Sequence, residues 1–227
     1  MDSRSCLQDD PATAVFTCYR LNGGEQLTLP GRQDAVRILF LCMGNASADE
    51  TALREKSVYI GVPGKELPLI AKKNCLVLEI CCWVTPEEYR ELDMGAFPYA
   101  LDYDRAATYT EECKSPKTVS RMLVPPRIVP RFAMGSVQTR GVDRVDPHCH
   151  PDLDQYFYGL AENNCFVMID GKPFPFGGST LMHIPLGSHH GVTLEEQHVC
   201  HYLWIDFLLN QKGLEYLDRA QMEPNDP

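Results

Sequence analysis

Apolar residues recur along this chain in short alternating runs or compact blocks, and seldom with the period of a helix. Residues 15–20, 26–29, 36–43, 57–60 and 74–84 read as strands. Asn22-Gly23-Gly24, Pro30-Gly31 and Gly61-Val62-Pro63-Gly64 mark the turns between them. Residues 44–49, small and polar, read as a loop. A second series follows at 131–140, 145–150, 155–158, 165–169, 180–184 and 198–208, with Asp170-Gly171 as a hairpin signal. Strands at this spacing, separated by Gly/Pro turns, predict an all-β barrel or sandwich. One helix start stands out. Thr85 can cap, Pro86 suits the first helical position and Glu88 completes a capping box, for a helix ending near Met94-Gly95. Residues 214–222 read as a second short helix. Residues 1–13 and the Pro/Asn/Asp tail are expected to be loose.

The two series share a plan. In each, a strand runs into a Pro/Gly turn, and a long apolar strand follows. Ser57-Val58-Tyr59-Ile60-Gly61-Val62-Pro63-Gly64 in the first matches Thr180-Leu181-Met182-His183-Ile184-Pro185-Leu186-Gly187 in the second. This predicts one barrel unit used twice. Residues 1–103 form the first barrel and 104–130 a proline-rich connector. Residues 131–210 form the second barrel and 211–227 a C-terminal tail.

Composition narrows the partners. A net charge of −10 argues against nucleic acid and anionic membranes. No apolar run approaches a membrane span, and the longest, at 75–84, is broken by Glu79. The acidic, polar N-terminus lacks a signal-peptide pattern, so a cytoplasmic location is expected. The ten cysteines form no Cys-x-x-Cys pair and no zinc-finger spacing. Several sit inside apolar runs, where free Cys behaves as a small hydrophobe.

All seven histidines fall after residue 147. Imidazole is a common metal ligand and proton carrier. His148 and His150, two apart on an expected strand, share a face, and alternation turns Cys149 away from it. Asp154 and Gln155 follow with oxygen atoms that compete as a further ligand. His189, His183 and His201 are candidate acids or bases. Phe157 shares the Gln155 face as an apolar wall, while Tyr156 and Tyr158 point away and pack. Arg131 and Arg140 are candidate contacts for an anionic substrate.

These residues resemble the two motifs of the cupin superfamily. The first reads Gly141-x6-His148-x-His150-x4-Gln155, and the second Ser179-x5-Pro185-x-Gly187-x2-His190. Gln155 stands where the family has Glu, the Gly141 spacing is one residue long, and Glu162 occupies the position of the closing glycine. The first half resembles a degenerate cupin, with Val62-Pro63-Gly64 at the turn but no histidines. The resemblance implies double-stranded β-helix (jelly-roll) barrels, two in tandem, with a short helix between them. It also implies one divalent metal ion (Fe, Mn, Ni or Zn) held in the second barrel by His148, His150, Gln155 and His190.

Three imidazoles and a neutral amide leave a divalent charge uncancelled, which suits Lewis-acid work on a carbonyl or carboxylate. The expected function is therefore a metal-dependent enzyme of isomerase or lyase type, acting without redox change on a small keto, carboxylate or sugar-like substrate. An iron-dependent dioxygenase and a non-catalytic ligand-binding sensor are the alternatives. A homodimer, with the first barrel at its interface, is one candidate assembly.

Overall fold

The apolar blocks at 36–43 and 75–84 become the two longest strands of the first half, paired antiparallel through their length. In the computed structural model, which describes residues 2–5 and 13–220, the chain divides into two units. The first ends at Ala106 and takes in Ile128–Pro130. The second holds Ala107–Arg127 and the chain from Arg131.

The first unit contains β1 (Asp2–Ser5), β2 (Ala14–Leu21), β3 (Gln26–Leu29), β4 (Ala35–Met43) and β5 (Ala46–Ala48). β6 (Thr51–Leu53), β7 (Val58–Ile60), β8 (Leu67–Ala71), β9 (Cys75–Trp83) and β10 (Tyr99–Leu101) follow, with α1 (Pro86–Glu91) before the last. One sheet runs β1-β2-β9-β4-β7-β10 and the other β3-β8-β5-β6. Leu39, Leu41, Tyr59 and Val77 of the first sheet share a core with Leu29, Ala46, Leu67 and Leu69 of the second. Glu79, buried in this unit, pairs with Arg37 and accepts a hydrogen bond from the Tyr19 hydroxyl at 2.8 Å.

The second unit contains β11 (Thr108–Tyr109), β12 (Val119–Val124), β13 (Phe132–Arg140), β14 (Asp143–His148) and β15 (Leu153–Gly159). β16 (Asn164–Ile169), β17 (Lys172–Gly177), β18 (Leu181–Ile184), β19 (His190–Leu194), β20 (Val199–Leu208) and helix α2 (Gln211–Ala220) complete it. Its strands β13-β20-β15-β18 repeat the order β2-β9-β4-β7 of the first unit. Likewise β14-β19-β16-β17 repeats β3-β8-β5-β6. Each unit is thus a jelly roll, and the order is the same eight strands used twice. Even-numbered residues of β20 (Cys200, Tyr202, Trp204, Leu208) enter the barrel core, because strand side chains alternate.

Several expectations are corrected. The stretch 104–130 is not a bare connector. It supplies β11 and β12, in which Val119–Val124 pairs along β13, and Pro125-Pro126 only ends that strand. The loop expected over 44–49 contains β5, whose small residues Ala46, Ser47 and Ala48 are all buried against β8. Strand β14 ends at His148, so His150 lies beyond it, after a shift of register that follows Val145. The Thr85–Glu88 capping box is present, but α1 ends at Glu91 and gives way to a single 3-10 turn at Met94–Ala96. Part of the segment expected to be loose at the N-terminus is β1, paired with β2. Residues 6–12 and the tail beyond 220 lie outside the described residues. Among the described residues no helix is long and apolar enough to cross a membrane.

Candidate metal centre

The end of β14, the start of β19 and the loop after β14 bring three imidazoles together. β14 pairs with β19 so that His148 stands opposite His190. His150 reaches the same point from the turn that follows. One nitrogen from each ring lies within 4.8 Å of the others, and ring centroids are 4.6–5.3 Å apart. Backbone carbonyls set the tautomers. His148 Nδ1 donates to Asp146 O at 2.7 Å and His190 Nδ1 to Ser188 O at 3.3 Å. That leaves Nε2 of each ring with a free lone pair. His190 Nε2 is buried and has no hydrogen-bond partner.

Gln155 on β15 lines the same cavity as the three imidazoles. Its Nε2 donates to Asp206 Oδ1 at 2.8 Å, across the Gln155–Asp206 register pair of β15 and β20. This bond turns Gln155 Oε1 the other way, where it is buried without a partner. An orphaned carbonyl oxygen and an orphaned imidazole nitrogen are costly alone, each of order 1–3 kcal/mol. A cation between them would relieve both, so the donor set fits a divalent metal with positions left open.

These four residues line a cavity of about 480 Å3, part of it open to solvent. The rings of Phe157, Tyr202 and Trp204 line it, as do Tyr216 and Leu217 of α2. The Tyr216 ring lies 4.9 Å from that of His150. Glu111 and Lys114, an ion pair on the loop between β11 and β12, also line it. Lys114 Nζ donates further to Ser120 Oγ at 3.0 Å, and its backbone bridges Val145 of β14.

Burial decides the charge states. It lowers all three imidazole pKa values, to about 3 for His150 and about 4 for His190, and in these two repulsion from neighbouring imidazoles adds to the effect. All three are neutral at neutral pH. Burial pushes the Asp206 carboxyl up to about 7, against the opposing pull of the Gln155 hydrogen bond.

No family model matches the sequence, and no curated protein matches it by sequence. Solved structures do match. A cupin 2 conserved barrel domain protein from Leptotrichia buccalis is 17% identical, over 91% of this chain and 88% of its own, with a TM-score of 0.61. Oxalate decarboxylase from Lactobacillus farciminis, solved as a formate complex, is 11% identical over 87% and 78%, with a TM-score of 0.67. Protein Ylba from E. coli is 12% identical over 88% and 79%, with a TM-score of 0.68.

The fold is a cupin fold.

Within this fold the two motif segments come together: His148, His150 and His190 form one cluster, and Gln155 lines the same cavity. The candidate acids and bases do not join them. His183 stacks on Tyr156 and pairs with Asp154 at 2.7 Å on the opposite face of the sheet. Asp154 is thereby taken away from the ligand set, since it precedes inward-facing Gln155 by one residue. His201 alternates away from Tyr202 and meets Glu162 at 2.6 Å. His189 is exposed, with its backbone tied to Asp170. Arg131 and Arg140 do not line the cavity either. Polar groups that do include Glu111, Lys114, Asp206 and Trp204. Of these only Asp206 carries a sequence signal, as an acid at an inward position of an otherwise apolar strand. Replacing it, as Asp206→Leu, should release the Gln155 amide and weaken metal affinity about 10- to 100-fold, read by competition with a chelating dye.

Proposed function

We propose that the second barrel is a metal-dependent enzyme site that processes a small oxygenated substrate by isomerase- or lyase-type chemistry, without redox change. The observation that carries this reading is the convergence of three neutral imidazoles on one point beside the orphaned Gln155 oxygen. His148, His150, His190 and Gln155 would hold the ion. When bound, a divalent ion supplies Lewis-acid polarisation of a substrate carbonyl. Because no ligand is a carboxylate, none of that charge is cancelled by the donor set.

The chain supplies the rest. Asp206 fixes the Gln155 amide. Glu111 is the carboxylate placed to take up and return a proton in the cavity, and Lys114 holds it in place. Phe157, Tyr202 and the α2 residues limit water. On this reading the chain is a bicupin with one metal site, a cytoplasmic protein acting on a small molecule and not on nucleic acid or a membrane.

Elemental analysis of untagged protein tests the reading. About one equivalent of Fe, Mn, Ni or Zn is expected per chain, with near-complete loss in a His148→Ala/His150→Ala variant. Absence of metal from the reconstituted parent would sink the enzyme reading. Anaerobic turnover then separates the non-redox reaction from a dioxygenase.

A further inference from the structure

Among the described residues, three buried side-chain polar atoms lack a hydrogen-bond partner: Gln155 Oε1, His190 Nε2 and Trp204 Nε1. All three residues line the same cavity. A metal ion accounts for the first two. It cannot account for the third, because an indole N–H only donates. A buried donor left without a partner is destabilising, so an acceptor that enters with a ligand is the physical complement.

The placement of that donor is built into the sheet. Trp204 stands opposite Gly135 of β13 and is 6% exposed. A Cβ at position 135 would run into Trp204 Cζ2 and Cε2 and the backbone oxygen of Arg121. Glycine here is what lets the indole lie across the neighbouring strand. The Tyr109 phenol is near enough to feel the indole N–H, yet no hydrogen bond closes between them, and burial keeps the phenol un-ionised.

Charge selects the class of ligand. The lining brings one cation, Lys114, and two carboxyls, Glu111 and Asp206. The imidazoles and the amide add none. With a divalent ion the cavity is net positive even when both carboxyls are ionised, so an anion with several acceptor oxygens complements it.

We propose that Trp204 is a specificity-determining residue: its indole N–H donates a hydrogen bond to a carboxylate oxygen of a small, metal-chelating organic acid. This rests on the metal-dependent reading above.

The chain has two tryptophans, so only two indole cross-peaks arise in a 15N correlation spectrum, from Trp83 and Trp204, and Trp204→Phe assigns them. Zn-loaded protein is titrated with malonate as the probe. The Trp204 indole proton should move downfield while that of Trp83 stays. Calorimetry should show malonate binding about 10- to 100-fold weaker in Trp204→Phe, at unchanged zinc stoichiometry. Malonate that binds the parent without moving the Trp204 peak overturns the proposal. So does equal affinity in the variant, or no malonate binding at all by the Zn-loaded parent. The peak shift needs no variant, so a poorly folding Trp204→Phe does not block the test. A parent that takes up no zinc overturns the metal reading itself, which the stoichiometry reports separately.

Discussion

Zinc at about a thousandfold excess over its Kd is expected to raise the unfolding temperature by roughly 8–16 °C. A ligand bound only by the folded state contributes about 4 kcal/mol at that excess. For a chain of this size each kcal/mol moves the midpoint by about 2–4 °C. The source of the gain is local. His190 Nε2 and Gln155 Oε1 are already buried and unpartnered, so the ion arrives at a site whose desolvation is complete. The His148→Ala/His150→Ala variant, which keeps both orphans but removes two of the imidazoles, should show almost no shift. Differential scanning calorimetry with and without metal reads both. An equal shift in parent and variant would place the ion elsewhere on the molecule.

Acid should weaken the metal-free protein before its ordinary carboxylates titrate. His150 and His190 have folded pKa values of about 3 and about 4, below the ordinary imidazole value near 6.5. Between pH 4 and 6.5 the unfolded chain therefore binds two protons at these positions that the folded chain does not, and stability falls as pH falls. His148 acts in the same direction. Asp206 acts in the other, because its folded value of about 7 lies above that of an unfolded aspartate. One proton is then held by the folded state over the same window. Two against one leaves a net loss of about 1.4 kcal/mol per pH unit. That is of order 2–3 kcal/mol from pH 6.5 to 4.5, after allowance for solvent at the half-buried His148 and His150. Urea titrations at pH 7, 5.5 and 4.5 on chelator-treated protein check the sign. Stability that holds or rises on acidification would contradict burial of neutral imidazoles.

The repeated barrel unit was legible because both long strands, 75–84 and 198–208, are apolar blocks preceded by Gly/Pro turns, and patterning of that kind is local information. The clustering of the motif residues was legible for a different reason. His148, Gln155 and His190 sit at spacings that a known barrel motif fixes. What escaped was contributed by segments without periodicity. β17 carries Pro173 and Pro175 and lies outside the expected strands, yet it pairs with β16 at a sheet edge, where proline costs little. β12 and the loop bearing Glu111 and Lys114 lie among prolines, and nothing within 104–118 marks which of its charges face inward. The acid–base assignment failed on parity. His183 and His201 are on strands of the right sheet, but each is one residue out of phase with the cavity-facing positions.

The cavity is bounded by two kinds of material. The paired strands and the turn after β14 carry the imidazoles and Gln155. The stretch from Tyr109 to Lys114 and helix α2 add Tyr109, Glu111, Lys114, Tyr216 and Leu217 to the lining. Neither of these two segments supplies a motif residue. Mutational drift within them can therefore change the shape and charge of the cavity while the strands that carry the imidazoles keep their register. A library confined to these lining positions is the economical place to begin redesigning it.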